Sequence, residues 1–212
     1  MMKDILIIGA GGCGREVLQW IKAINIIKKR WNIVGFLDDN PHALDGKICD
    51  VGIVASIDDY IIKENDVFVC CIGNSKVRKD VVVRFKRKGA KFVSVIHPAA
   101  IITESSSIGE GVIVYPFAMI SDNACIGDYC IINMYSSVTH DVVLGKYCTI
   151  SGHCDITGKC KLGDSVFMGT TSHVVPGSVI GNDVFICAGS TVMTNVRDGL
   201  RVIGNPAKIM HF

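Results

Sequence analysis

A six-residue period runs through the second half of this sequence and constrains its fold more than any other feature. Every sixth residue from Ile102 to Val192 is aliphatic or methionine. The residue two places before each of these is mostly small, as in Ala118, Cys130 and Ser136. This uninterrupted two-position code predicts a left-handed parallel β-helix in which each hexad supplies one short strand and one corner. An ordinary β-sandwich would instead show strands about 8 to 12 residues apart with irregular turns.

A slower period of 18 residues is superimposed on the hexads. Glycine recurs at positions 109, 127, 145, 163 and 181. Three hexads therefore make one turn of the coil, which predicts a triangular prism with the aliphatic residues inside. Successive coils of such a prism pair their backbones and bury a continuous apolar column.

The first part of the chain has a different pattern, in which short apolar runs alternate with helical ones. This alternation is typical of a small Rossmann-like α/β domain with a parallel sheet. We therefore expect two domains, residues 1–97 and residues 98–212, the second ending in a cap over the open end of the prism. The apolar runs cover residues 5–8, 33–37, 67–72 and 92–96, and the helical patterns cover residues 17–24 and 76–88.

Composition narrows the class of protein further. The 22 Lys and Arg residues nearly balance the 20 Asp and Glu residues, so charge gives no reason to expect a nucleic acid or an anionic membrane as a partner. The apolar run near the start is too short for an export signal or a membrane span, which indicates a cytoplasmic protein. In that compartment we expect the ten cysteines to be reduced. No cysteine pair has the spacing of a zinc knuckle, and no metal site is expected.

A glycine-rich segment, residues 9–14, follows the first apolar run and precedes the first helical one. Its G-x-G-x-x-G spacing matches the fingerprint that lets backbone N–H groups approach a phosphate. Asp38 and Asp39 end the second apolar run and could accept hydrogen bonds from a ribose or a base, while Gly73 and Asn74 end the third. The fingerprint leaves open a redox cofactor or a nucleotide-linked substrate. The short domain favours a single nucleotide.

The β-helix code needs only two positions in six, so departures from it indicate chemistry. Asn133 and the pair His140-Asp141 occupy outward or corner positions. A histidine beside a carboxylate that could fix its tautomer is a candidate general base. His153 and His173 fall in other phases of the 18-residue turn, and we expect them to be surface or interface residues.

Taken together, these segments resemble one known family over nearly the whole chain. The resemblance rests on the segments IIGAGGCGREV, FLDDN, IGNSKVR, NMYSSVTHDVVLG and VIGNPAKIM, and on the uninterrupted hexads. The family is that of the bacterial sugar acetyltransferases, which includes the bacillosamine-pathway and perosamine N-acetyltransferases and the sialic-acid O-acetyltransferases.

The resemblance implies a homotrimer with acetyl-CoA lying between adjacent β-helices and a nucleotide sugar held by the N-terminal domain. The acetyl group would pass directly to an amine of an amino-deoxy sugar, without a covalent enzyme intermediate. It also implies the role of each residue. His140 would be the general base, Asp141 its orienting carboxylate and Asn133 the residue that positions the acceptor. The substrate would meet Gly11, Gly12, Cys13, Asp38, Asp39, Gly73 and Asn74, and acetyl-CoA would meet Thr149, Gly158, Thr170, Ala188 and Gly189, with the Gly158 N–H stabilising the oxyanion.

Two of these positions depart from the family, because Cys13 and Thr149 stand where it often or usually has histidine. Three other functions remain open. The acceptor could be a hydroxyl, as in sialic-acid O-acetylation. A metal-dependent hydratase resembling the γ-type carbonic anhydrases would need three imidazoles on one zinc, and the spacing of His140, His153 and His173 does not match that pattern. A non-catalytic nucleotide-sugar sensor would have no need of the His140-Asp141 pair.

Overall fold

The structure is a computed structural model, and it describes residues 2–210. Met1, His211 and Phe212, at the outer ends of the two expected domains, lie outside the described residues. Contacts within the chain divide it into two compact units, Met1–His97 and Pro98–Phe212.

The first unit is built on a parallel sheet with the strand order β3-β2-β1-β4. Apolar side chains at helical spacing on α1, namely Val17, Leu18 and Ile21, are fully buried. Its elements are β1 (Lys3–Ile8), α1 (Gly12–Ile27), β2 (Trp31–Leu37), β3 (Ile53–Ala55), β4 (Asp66–Cys70), α2 (Ser75–Arg87) and β5 (Val95–Ile96).

Two details of this unit differ from the sequence pattern. The short strand β3 was not predicted, because its three residues are too few to show a period. The apolar run 92–96 forms an isolated bridge between Phe92 and Phe68 and then β5, rather than one continuous strand.

The second unit is a parallel β-helix whose short strands, of two residues each except for the three-residue β22, form three sheets. Sheet I contains β6 (Ile101–Ile102), β9 (Met119–Ile120), β12 (Ser137–Val138), β15 (Asp155–Ile156), β18 (His173–Val174) and β21 (Thr191–Val192). Sheet II contains β7 (Ser107–Ile108), β10 (Cys125–Ile126), β13 (Val143–Leu144), β16 (Lys161–Leu162) and β19 (Val179–Ile180). Sheet III contains β8 (Ile113–Val114), β11 (Ile131–Ile132), β14 (Thr149–Ile150), β17 (Phe167–Met168), β20 (Phe185–Ile186), β22 (Arg201–Ile203) and β23 (Lys208–Ile209).

Each coil thus runs from sheet III to sheet I to sheet II, and four-residue turns form the three edges of the prism. The predicted column of aliphatic residues fills the interior, as at Val138, Ile150 and Ile156, all with no exposed surface. The third residue of most turns has a left-handed backbone, with φ between 54° and 65° at eleven positions that are not glycine. The fold class predicted from the sequence, an α/β domain followed by a parallel hexapeptide β-helix, is confirmed.

The glycines at 18-residue spacing lie on the edge between sheets II and III, where the backbone of the next coil leaves no room for a side chain. A Cβ on Gly145 would lie 2.5 Å from the carbonyl carbon of Gly163 in the next coil. The turns of this edge also carry carboxylate and amide side chains that accept hydrogen bonds from the coil before. Asp164 accepts from the Lys146 N–H at 2.7 Å, and Asn182 accepts from the Asp164 N–H at 2.8 Å. Close approach therefore explains the 18-residue period.

The cysteines in the small slot of the hexad are buried and also donate hydrogen bonds. The thiol of Cys130 donates to the Gly145 carbonyl at 3.0 Å, and that of Cys148 donates to the Gly163 carbonyl at 3.2 Å. Ser136 does the same to the Ser151 carbonyl at 2.7 Å. The slot thus suits a small side chain that can donate, which explains why both cysteine and serine occur in it.

The chain ends in a short hairpin, in which β22 and β23 pair antiparallel. Among the described residues, no helix is both long enough and apolar enough to cross a membrane.

Candidate active site

The candidate catalytic histidine lies on the edge between sheets I and II, in the turn that follows β12. The His140 side chain is 59% exposed, and its Nδ1 lies 2.9 Å from Oδ2 of Asp141. Asp141 is the turn residue with left-handed backbone, at φ 61°. This backbone turns the carboxylate toward the neighbouring imidazole. A proton on Nδ1 satisfies this contact and leaves the lone pair of Nε2 free.

Gly158 occupies the same place in the next coil, and the His140 ring lies against it. A Cβ on Gly158 would come within 2.5 Å of Nε2, so only glycine leaves room for the ring in this position. Within residues 2–210 the Gly158 N–H has no hydrogen-bond acceptor, whereas its carbonyl accepts from the Gly177 N–H at 3.0 Å. The structure therefore brings together an imidazole, its carboxylate partner and a free backbone donor.

The other predicted residues of the β-helix lie elsewhere on the prism. Asn133, Thr170, Ala188 and Gly189 all belong to turns on the edge between sheets III and I. Thr149 lies in β14 of sheet III and is only 8% exposed. Apart from Thr149, the predicted residues of the β-helix site are thus divided within one chain between two edges, both of which border sheet I.

In the first unit, the predicted substrate residues lie at the carboxyl ends of β1, β2 and β4, which are neighbours in the sheet. Gly11 and Gly12 are exposed, and a Cβ on either would meet no atom within 4 Å. Gly14 is different, because a Cβ there would collide with the carbonyl oxygen of Gly9. Gly14 therefore permits close packing of helix on strand, whereas Gly11 and its neighbour Gly12 leave the helix start open.

The two aspartates after β2 hold the surrounding loops in place. Oδ2 of Asp38 accepts the Ala10 N–H at 2.7 Å, and its Oδ1 accepts the Asn40 N–H at 2.9 Å. Oδ1 of Asp39 accepts the Ile57 N–H at 2.8 Å. Both carboxylates thus already accept hydrogen bonds from the protein, and each has further lone pairs that could accept from a ligand.

Asn74 is the N-cap of α2, and its side-chain oxygen accepts from the N–H groups of Lys76 and Val77. One turn later lies Arg78, which is fully buried and was not among the predicted site residues. The Arg78 guanidinium donates to the carbonyls of Ile72 and Gly73 at 2.7 and 3.1 Å. It fixes the loop that presents Gly73 and Asn74. The spacing in the sequence could have indicated this contact. Residues four apart lie on the same face of a helix, so the Arg78 side chain can reach the loop beside the N-cap Asn74.

A cluster of thiols lies below the glycine loop. Burial, followed by a hydrogen bond with Cys13, raises the pKa of Cys71 well above its usual value. Burial also raises the pKa of Cys70, to about 12. These thiols are protonated at neutral pH. Cys13, at the position where the family often has a histidine, contacts Cys71.

The remaining histidines of the β-helix have partners of their own. Nδ1 of His173 lies 3.0 Å from Oδ2 of Asp155 on sheet I, and the Ser137 hydroxyl donates to Oδ1 of the same aspartate at 2.6 Å. His153 stacks on Tyr135 on the edge between sheets III and I. Among the described residues, no group of three or more His, Cys, Asp or Glu side chains could hold a metal ion.

Comparison with known families gives two matches along the chain. Residues 4–85 match the family described as PglD N-terminal domain, and residues 105–139 match the family described as bacterial transferase hexapeptide (six repeats). The UDP-N-acetylbacillosamine N-acetyltransferase of Bacillus subtilis (strain 168) is 30% identical over 115 residues, which are 53% of this chain and 51% of that protein. The match thus spans about half the length of the curated relative.

Two solved structures resemble the whole chain. The acetyltransferase domain of PglB from Neisseria gonorrhoeae FA1090, in complex with acetyl coenzyme A, has a TM-score of 0.89 and 26% identity and covers 99% of this chain and 100% of that one. PerB from Caulobacter crescentus, in complex with CoA and GDP-perosamine, has a TM-score of 0.88 and 28% identity and covers 100% of this chain and 99% of that one. With a first unit that matches the PglD N-terminal domain family, a hexapeptide β-helix and these relatives, the chain resembles acetyltransferases of the bacillosamine and perosamine type over its whole length.

Proposed function

We propose that this protein transfers the acetyl group of acetyl-CoA to the amine of a nucleotide-linked amino-deoxy sugar. The observation that carries the proposal is the arrangement of His140, with Asp141 on Nδ1 and Gly158 against the ring. The ligands of the two similar structures, acetyl coenzyme A in one and CoA with GDP-perosamine in the other, support the same chemistry.

In this mechanism His140 is the general base. Asp141 holds the proton on Nδ1, so Nε2 accepts a proton from the acceptor amine as the nitrogen attacks the thioester carbonyl. A C–N bond forms and the C–S bond breaks. The thiol of CoA leaves with a proton, and the sugar becomes an amide. No enzyme nucleophile is needed.

The Gly158 N–H is the donor for the negative charge that develops on the carbonyl oxygen. Its position against the imidazole places donor and base on the same edge of the prism. Because this N–H has no acceptor within residues 2–210, it is available without breaking an existing hydrogen bond. A backbone donor of this kind is typically worth about 10² to 10³ in rate.

The first unit would bind the nucleotide. Gly11 is the N-cap of α1, and Gly12 and Cys13 are its first residues. The first turn contains no acidic residue, so the N-terminal end of the helix is open to a phosphate. Asp38 and Asp39 would meet the ribose or base, and Gly73 and Asn74 border the same edge of the sheet. The PglD N-terminal match over residues 4–85 supports this division of labour.

The protein would act as a homotrimer. His140 and Gly158 lie on one edge of sheet I, whereas Asn133, Thr170, Ala188 and Gly189 lie on the other. A ring of three copies, each placing the first edge against the second edge of its neighbour, joins the two halves into one site. Such a contact is heterologous, and it closes when the rotation is threefold.

The test is the transfer reaction itself. Purified protein with acetyl-CoA and UDP- or GDP-linked 4-amino sugars is followed by thiol release and by the mass of the product. We expect His140→Asn to lower kcat about 10² to 10⁴-fold while nucleotide-sugar binding is retained. Asp141→Asn keeps the left-handed turn but removes the charge, and we expect a loss of about 10 to 10²-fold.

His173→Asn is the matched control, since His173 also has a carboxylate partner at 3.0 Å but lies in a strand of sheet I. It should keep most of the activity. If His140→Asn kept wild-type turnover, or if hydroxyl acceptors reacted faster than amines, the proposal would be wrong.

A further inference from the structure

Three aromatic rings stack along the edge between sheets III and I. Phe117 and Tyr135 have ring centroids 5.2 Å apart with planes 12° from parallel, and Tyr135 and His153 are 5.0 Å apart at 16°. We call these three residues the aromatic ladder. Phe117 is 55% and Tyr135 50% exposed, and His153 is also exposed. The faces and edges of the rings form a continuous apolar surface on the outside of the prism.

The backbone under this ladder is unfavourable for such residues. The φ angles of Phe117, Tyr135 and His153 are 61°, 59° and 58°, in the left-handed region that bulky side chains rarely adopt. The same left-handed corner recurs in most turns of the β-helix, so the ladder is distinguished by the exposed aromatic side chains that it carries there.

A second aromatic stack, on the edge between sheets II and III, has a structural role and serves as a comparison. Tyr129 and Tyr147 also have left-handed backbones and stack at 5.1 Å, but they are only 5% and 8% exposed. The Tyr129 hydroxyl donates to Glu110 at 2.8 Å. Burial and a hydrogen bond account for that pair. Neither accounts for the exposed ladder, and an exposed aromatic cluster indicates a binding surface.

The ladder shares its edge with residues of the proposed site. Tyr135 belongs to the same turn as Asn133, which the proposed function assigns to the acceptor. In the two coils beyond His153, the corresponding corner residues are Thr171 and Gly189. The edge therefore changes from aromatic to small side chains along its length, and the small part contains Thr170, Ala188 and Gly189, three of the residues assigned to acetyl-CoA.

The height of the ladder along the prism also fits. Tyr135 and His140 lie at opposite ends of β12, so they belong to the same coil. Rotation about an axis parallel to the prism keeps every coil at its own height. In the proposed ring, Tyr135 of one copy therefore lies at the same position along the prism axis as His140 of the next copy.

We propose that the aromatic ladder, centred on Tyr135, forms the wall of the acceptor site in the neighbouring copy and packs against the apolar face of the acceptor sugar ring. This inference rests on the proposed function and identifies the residues that determine which acceptor sugar is bound. An aromatic wall favours a sugar with a methyl group at C5, because the hydroxyl of a hydroxymethyl group would lose its water there without gaining a partner.

The experiment compares two nucleotide-linked 4-amino sugars, one with a methyl and one with a hydroxymethyl group at C5. Tyr135→Asn removes the ring and keeps the turn, because asparagine tolerates left-handed backbone. We expect KM for the methyl sugar to rise about 5 to 20-fold, and the preference over the hydroxymethyl sugar to fall by a similar factor. The kcat and the KM for acetyl-CoA should change less than about twofold. Tyr135→Phe keeps the ring and should behave as the wild type.

Asp183→Asn is the control, since Asp183 is an exposed left-handed corner residue on a different edge. Binding of the methyl sugar is also measured at equilibrium, without acetyl-CoA, in a His140→Asn background. Suppose that His140→Asn loses activity and that His140→Asn/Tyr135→Asn binds the methyl sugar as tightly as His140→Asn does. The proposed function would then stand, and the role of the aromatic ladder would be overturned. Dissociation of the trimer by Tyr135→Asn, with KM unchanged at saturating protein, would overturn it as well. Unimpaired turnover in His140→Asn would instead reject the proposed function.

Discussion

The imidazole of His140 rests against the Cα of Gly158 in the next coil, at a place where any Cβ would come within 2.5 Å of Nε2. Both residues are the second residue of their turn, one coil apart on the same edge. The 18-residue repeat therefore fixes this contact, and the chain needs no loop insertion to make it.

Gly158→Ala should therefore displace the ring while leaving the fold intact. The added methyl group pushes the exposed imidazole outward, away from the donor and from Asp141. We expect kcat to fall at least about 10²-fold, because a misplacement of about 1 Å in a catalytic group has effects of this size. The measurement is acetyl transfer, with the melting temperature recorded for the same samples.

Gly52→Ala provides the matched change, since Gly52 has no neighbour within 4 Å of its Cβ position and no left-handed backbone. It should leave both activity and stability unchanged. Wild-type turnover in Gly158→Ala would mean that the observed ring position is not the catalytic one.

Arg78 supports the loop after β4 from inside the first unit. It is fully buried and donates to the carbonyls of Ile72 and Gly73. Arg78→Met has similar length but leaves both carbonyls without their charged donor. We expect the free energy of unfolding to fall by about 2 to 3 kcal/mol. Chemical denaturation followed by circular dichroism measures this change.

Arg84 on the same helix gives the comparison. Its side chain is 36% exposed and pairs with Asp58 and Asp80. Exposed ion pairs contribute little, so Arg84→Met should cost less than about 1 kcal/mol. Equal losses for the two variants would contradict a special role for Arg78.

The sequence was sufficient to predict the β-helix, because its code depends only on side-chain size at fixed spacing. Val138 and Ile150 are buried because, like every sixth residue from Ile102 to Val192, they belong to the aliphatic column inside the prism. The His140-Asp141 contact was also predictable, since the two residues are adjacent and share one turn.

Relations between coils were harder to foresee. The aromatic ladder joins residues 18 apart whose side chains could have pointed in several directions, so spacing alone did not reveal stacking of Tyr135 on Phe117 and His153. The buried Arg78 was hidden within a basic helix, where a charge is normally expected to be solvated. Strand β3 was missed because three residues carry no measurable period.

Burial also sets the behaviour of the thiols with pH. Burial raises the pKa of Cys70, Cys148 and Cys154 in the folded protein above the ordinary thiol value. These groups stay protonated in the fold while an unfolded thiol ionises near about pH 8.5. The stabilisation is therefore fully present below that pH and is lost progressively as the pH rises above it.

The expected result is slow reaction of the buried thiols with an aromatic disulfide reagent at pH 8. The fast phase should come from the exposed Cys125, with Cys13, Cys49 and Cys187 intermediate. The thiolate is the reacting form, so burial and a raised pKa act in the same direction. Cys125→Ser should remove the fast phase, whereas Cys148→Ser should leave it unchanged and remain folded, since serine fills the same slot at Ser136. Denaturation curves at pH 7 and pH 10 complete the test, and equal stability at the two pH values would contradict the role assigned to the buried thiols.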